Sequence, residues 1–160
     1  MSIINVVGAK IWGGGEQYVY DICKQLQQRH RTAYILVDQS NEDMQSRYAQ
    51  VGHVMTANLY TLKGFLSVNA VAKQMKEQGI NTIVCHSGKY ILFCIALKQL
   101  TGAKLVFIKH NLVPGKTDIY HRWINAQVDA FVCVSKLVYD DLMTPAIKDT
   151  SKYHVVYNGI

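Results

Sequence analysis

Six short apolar runs, separated by amphipathic stretches, leave this chain few folds to choose from. The runs lie at 3–7, 33–37, 81–86, 104–109, 130–134 and 153–157, with a weaker one near 54–55. Several are apolar at nearly every position, the pattern of strands covered on both faces. Helical patterns fill the gaps at 16–30, 43–50, 64–78, 89–100, 117–127 and 136–148. In the first, Val19, Ile22, Cys23 and Leu26 share one face; in the third, Phe65, Val68, Ala72 and Met75 do. Repeated strand–helix units predict an α/β, Rossmann-like doubly wound sheet of six or seven mostly parallel strands, with helices on both faces. A chain of 160 residues is long enough for one such domain with a substantial core, and short for two.

Composition narrows the function classes. No internal repeat or low-complexity tract occurs, and no apolar run approaches the length of a membrane span. The first residues lack the basic and apolar regions of a secretory signal. Cys23, Cys85, Cys94 and Cys133 all sit in apolar segments without a CxxC pair, so they read as buried free thiols of a reducing cytoplasm. Seventeen Lys and Arg against 11 Asp and Glu give a net charge of +6, which favours anionic partners. An ordinary excess of surface lysine gives the same number. His53, His121 and His154 have no metal-site spacing, and no H-x-x-x-H, D-x-D or Cys/His cluster is present, so no bound metal is expected.

Ligands of doubly wound sheets bind at the carboxyl ends of the strands. Gly8, Asp38, His86-Ser87-Gly88, His110-Asn111 and Ser135 follow those ends here. Gly13-Gly14-Gly15 opens the first helix, where free amides and the positive dipole end suit an anion. Close helix–strand packing or a flexible turn explains three glycines equally well. A Walker loop is excluded, because no Lys-Ser or Lys-Thr follows. A dinucleotide fingerprint matches at Gly13 and Gly15 but has Tyr18 in the third glycine's place. Asp38 stands where such folds hold a ribose, so a small NAD-type domain stays open. A non-enzymatic flavodoxin-like interaction domain stays open too.

Several stretches, in order along the whole chain, resemble the N-terminal half of family 4 glycosyltransferases of the two-domain GT-B fold. Gly14-Gly15-Glu16 with Val19, Leu26 and Arg29-His30 resembles the family's opening loop and first helix. Ile83-Val84-Cys85-His86-Ser87 resembles its strand ending in H-x-H or H-S. Val106-Phe107-Ile108-Lys109-His110-Asn111 resembles the strand ending in a histidine beside the acceptor. The segments 129–135 and 155–160 resemble the strand-and-serine stretch and the N-G-I turn that crosses into the second domain.

The resemblance implies an acceptor-binding domain at 1–160 and a C-terminal donor-binding domain outside this chain, which contains no E-x7-E motif. It implies retaining, metal-independent glycosyl transfer without a cofactor, a nucleotide-sugar being the donor substrate. The expected acceptor is a sugar, glycolipid or other glycan, the setting polysaccharide, glycolipid or cell-envelope glycan synthesis. The isolated chain is expected to be inactive. Cytoplasmic placement, peripheral contact with the inner membrane face and no nucleic-acid partner complete the expectation. His110 is the candidate catalytic residue, orienting sugar or acceptor. Gly14, Gly15, Glu16, Ser87, Lys89, Asn111 and Arg122 are the candidate substrate-binding residues. Several have ordinary structural readings: Glu16 as a favourable charge at a helix start, and Ser87 and Ser135 as helix N-caps.

Overall fold

The computed structural model describes residues 1–60, 64–143, 147 and 149–159. Among them seven strands, all parallel, form one sheet in the order β3-β2-β1-β4-β5-β6-β7. They are β1 (Ile3–Val7), β2 (Tyr34–Asp38), β3 (His53–Ala57), β4 (Thr82–Cys85), β5 (Lys104–Lys109), β6 (Ala130–Cys133) and β7 (Tyr153–Val155). The helices are α1 (Gly14–Gln28), α2 (Glu42–Tyr48), α3 (Gly64–Glu77), α4 (Ile91–Thr101), α5 (Ile119–Gln127) and α6 (Lys136–Leu142). The order reverses between β1 and β4, giving the 3-2-1-4-5-6 arrangement of dinucleotide folds, not the 2-1-3-4-5 of flavodoxin. The doubly wound expectation stands and the flavodoxin-like one falls.

Two apolar layers hold the helices to the sheet. One joins Ile4, Val6, Ile83, Cys85, Leu105 and Phe107 to residues of α3, α4, α5 and α6. The other joins Val7, Ile35 and Val37 to Val19 and Cys23 of α1 and Met44 and Tyr48 of α2. Successive strand residues point to opposite faces, so buried strands are apolar throughout. β1 breaks that rule once, at Asn5, which is only 5% exposed. In α3, Val68, Ala72 and Met75 are buried as the pattern implies, while the Phe65 side chain lies outside the described residues. All four cysteines are buried free thiols.

The run near 54–55 belongs to a full edge strand whose His53 and Thr56 are exposed. One-sided burial gives alternation, a weaker signal than a continuous apolar run. The helix expected at 89–100 starts as a 3-10 turn, Gly88–Tyr90, capped by the Ser87 hydroxyl accepting from the Lys89 amide at 3.3 Å. The helix expected over 136–148 ends at Leu142, and parts of its remainder, like Ile160, lie outside the described residues.

Candidate functional site

The carboxyl edge of β1, β4 and β5 faces the start of α1 across a cavity of about 510 Å3. Gly13 has extended backbone, and Gly14, Gly15 and Glu16 form the first helical turn. The first intrahelical bond runs from the Gln17 amide to the Gly13 carbonyl at 3.0 Å. The amides of Gly14, Gly15 and Glu16 precede it and have no partner inside the helix. The Glu16 carboxylate turns back to accept from the Gly13 amide at 3.0 Å, and its carbonyl accepts from the Tyr48 hydroxyl at 2.9 Å. Glu16 therefore caps the loop it follows. A Cβ placed on Gly14 meets nothing within 4 Å, and one on Gly15 comes 3.9 Å from His110 Cδ2. These two glycines leave open space; no neighbour presses on them.

His110 follows β5 and His86 follows β4, neighbouring strands that bring their rings together. The rings stack at 5.3 Å between centroids and 23° between planes, with His86 Nδ1 3.0 Å from His110 Nε2. His86 Nε2 lies 3.0 Å from Asn5 Oδ1. That oxygen only accepts, so His86 carries its proton on Nε2 and presents a bare Nδ1. His110 must then donate from Nε2, leaving its own Nδ1 as an acceptor. Burial, then the charge of His110, lowers the His86 pKa to about 3. Burial lowers that of His110 as well, opposed by Glu16. Both rings are neutral near pH 7. Tyr18 packs edge-on against both, 5.2 Å from His110 and 6.3 Å from His86. A neutral acceptor nitrogen beside unpaired helix amides can orient a hydroxyl next to an anionic group.

The cavity brings together His110, Gly14, Gly15, Glu16, Ser87, Lys89 and Asn111. It leaves out Arg122, whose side chain is exposed on α5. No residue of α5 lines this cavity, which spacing along the chain could not tell. Asn5 and Tyr18, which with the strand-end His86 order His110, belong to no motif of the sequence, and Asn158, legible there only as part of a turn, lines the cavity. A polar residue inside the apolar IINVV run was the available signal for Asn5. Asp38 is not a ribose-binding acid here. It is 6% exposed, one oxygen accepting from the Ser40 amide and hydroxyl and the other from the Leu59 amide at 2.9 Å. Among the described residues no group of three or more His, Cys, Asp and Glu could hold a metal ion, and no helix is long and apolar enough to cross a membrane.

Residues 12–160 match the family model described as Glycosyltransferase Family 4. Among solved structures, a glycosyltransferase from Rickettsia africae superimposes with a TM-score of 0.83 at 19% identity, over 99% of this chain and 43% of its own. Anabaena HepE in complex with UDP-glucose gives 0.75 at 17% identity, over 100% of this chain and 44% of its own. MurG of Acinetobacter baumannii gives 0.68 at 12% identity, over 100% and 47%. This chain thus spans less than half the length of these structures. Among curated proteins no sequence match was found.

Proposed function

Because this chain belongs to glycosyltransferase family 4, we propose that it is the acceptor-side domain of a retaining, nucleotide-sugar-dependent glycosyltransferase working in glycan or glycolipid synthesis. A C-terminal domain is its partner and holds most of the donor. The observation that carries this reading is the single cavity shared by the Gly14–Gly15 helix start and His110. The donor diphosphate meets the bare amides, whose fixed dipoles favour the charge that grows there as the sugar departs. His110 accepts from a hydroxyl of the acceptor or of the transferred sugar and orients it. The bond from the anomeric carbon to the donor phosphate breaks and one to the acceptor oxygen forms. The acceptor's proton passes to the departing phosphate, so no protein nucleophile or cofactor is required. Ser87, Lys89 and Asn111 border the acceptor's approach, and the protein works in the cytoplasm.

UDP-glucose in the HepE structure supports a nucleotide-sugar donor here. The test is nucleotide release from uridine, guanosine and adenosine diphosphate sugars. It is measured with this chain alone and with a two-domain protein carrying it as the N-terminal half. Transfer is expected only from the latter, since closure assembles the reacting groups. Transfer by the chain alone, or tight binding of NAD to it, overturns the reading.

A further inference from the structure

A second cavity of about 580 Å3 lies among α4, α5, α6 and strands β5 to β7, within the size range of small-molecule sites. Three aromatic rings line it. Phe131 and Tyr153 stack at 4.6 Å and 5°, and Phe107 lies 6.0 Å from Phe131. Lys109, the last residue of β5, lines the same cavity, its amine nitrogen 4.6 Å from the Phe107 centroid. Among the described residues no ion pair includes Lys109, and no Asp or Glu lines the cavity. Lys116, exposed on the loop before α5, lines it too. Burial holds the Lys109 amine below the ordinary lysine value; Cys133 and Cys85 oppose this, and Lys116 adds to it. A lysine desolvated among apolar groups, beside a second cation, is more often the neutral amine than a surface lysine is, and the neutral amine is the nucleophile. His121 also lines the cavity, its Nδ1 2.6 Å from Asp118 Oδ2. That carboxylate fixes one ring nitrogen and leaves the other to carry a proton.

Each of these features selects one part of a ligand. The three rings suit an aromatic ring. Lys116 suits an anionic group, and the Lys109 amine suits a carbonyl carbon. A simple anion leaves the rings and the amine unused, and a neutral aldehyde leaves Lys116 unmatched. We propose that Lys109 is a covalent capture site for an aromatic aldehyde that carries a carboxylate or phosphate. The amine lone pair forms a C–N bond to the carbonyl carbon as the C=O double bond becomes a single one. Both protons of the neutral amine end on that oxygen, which departs as water and leaves an imine. No oxidant or reductant enters the step. The two cavities meet at Ser87 and Lys89, so the captured ligand stands beside the His110 site. Capture itself does not rest on the transferase reading.

The probe is 4-formylbenzoate, incubated with the chain near neutral pH, trapped with borohydride and located by peptide mass spectrometry. Benzaldehyde, which lacks the anionic group, is the control. A single adduct on Lys109 is expected. It should form at a concentration about tenfold lower than benzaldehyde needs, since a charge-assisted contact is worth about that factor. Lys109→Arg keeps the cation but cannot become a neutral amine, so it should abolish the adduct without changing the circular dichroism spectrum. Lys116→Gln should raise the concentration needed about tenfold. If Lys109→Arg does not fold, the adduct's position on the unaltered chain and Lys116→Gln decide. Adducts spread over other lysines overturn the proposal, as does an adduct that survives in Lys109→Arg. So does saturable binding that borohydride does not trap, which is an anion site only, or equal reaction with benzaldehyde, which is ordinary lysine chemistry. Sugar transfer does not enter this readout, so its failure leaves the transferase reading untouched.

Discussion

His86 Nδ1 lies 3.0 Å from His110 Nε2, and this contact fixes which nitrogen of His110 is free. The bond from His86 Nε2 to Asn5 Oδ1 sets the direction of the chain, making Asn5 and His86 positioning residues for His110. Long-range proton–nitrogen NMR near pH 7 should find His110 protonated on Nε2 and bare on Nδ1. A proton on Nδ1 instead would reverse the relay and remove the proposed acceptor. Asn5→Leu should lose this preference and cost about 1–3 kcal/mol, because His86 Nε2 is left without an acceptor.

Acid should weaken the fold through the same pair. Both rings are held below the ordinary value near 6.5, His86 at about 3. As pH falls below that ordinary value, the unfolded chain takes up protons that the folded rings refuse. Stability is therefore whole above about pH 6.5 and is lost from there down towards pH 3, at about 1.4 kcal/mol per pH unit for His86, with His110 adding to the loss in the same direction. Urea midpoints measured from about pH 7 to about pH 4 should fall steadily, and His86→Gln should flatten the decline. An unchanged slope in that variant would put the acid sensitivity elsewhere.

Glycine substitutions should separate into two groups. Gly14→Ala and Gly15→Ala meet open space or ordinary contact, so thermal stability should hold or rise by about 0.4–1 kcal/mol. In a two-domain protein, Gly15→Val should still cut turnover heavily by blocking the helix amides. At Gly64 a Cβ would sit 2.1 Å from the Asn58 carbonyl oxygen, and at Gly52 it would sit 2.7 Å from that of Ala33. Alanine at either should cost roughly 1–3 kcal/mol. Normal turnover in folded Gly15→Val would reduce the loop to a turn.

His30 closes α1 in the left-handed region, at φ 55°. The Arg31 amide bonds the Leu26 carbonyl at 2.9 Å, as the Ile80 amide bonds that of Met75 at 2.8 Å after α3. Gly79 holds the corresponding position there, at φ 65°. A non-glycine residue pays about 1–2 kcal/mol in this region. His30→Gly should thus raise stability by about 0.5–1 kcal/mol once glycine's greater unfolded entropy is counted, seen as a melting temperature higher by a few degrees.

The sequence alone was enough to locate the strands and helices, the end of the last helix excepted, and to identify the sheet as parallel, and it directed attention to the carboxyl edge. These follow from local periodicity: strands buried on both faces are apolar throughout, and amphipathic helices repeat every three to four residues. At the edge strand His53–Ala57 the signal weakened because burial there is one-sided. Gly14, Gly15 and His110 were legible because they stand at element ends, where the strand rule directs attention. Only the tertiary structure decided that β1 lies beside β4 and β4 beside β5, which brings Asn5, His86 and His110 into one chain of hydrogen bonds. It also decided that Asp38 is spent on Ser40 and Leu59, and that Lys109 lines a mostly apolar cavity with no carboxylate among the described residues. Sequence neighbours do not report such things. The partner of a buried polar group depends on which strands the crossovers make adjacent, and residues 81 positions apart meet only once the sheet has formed.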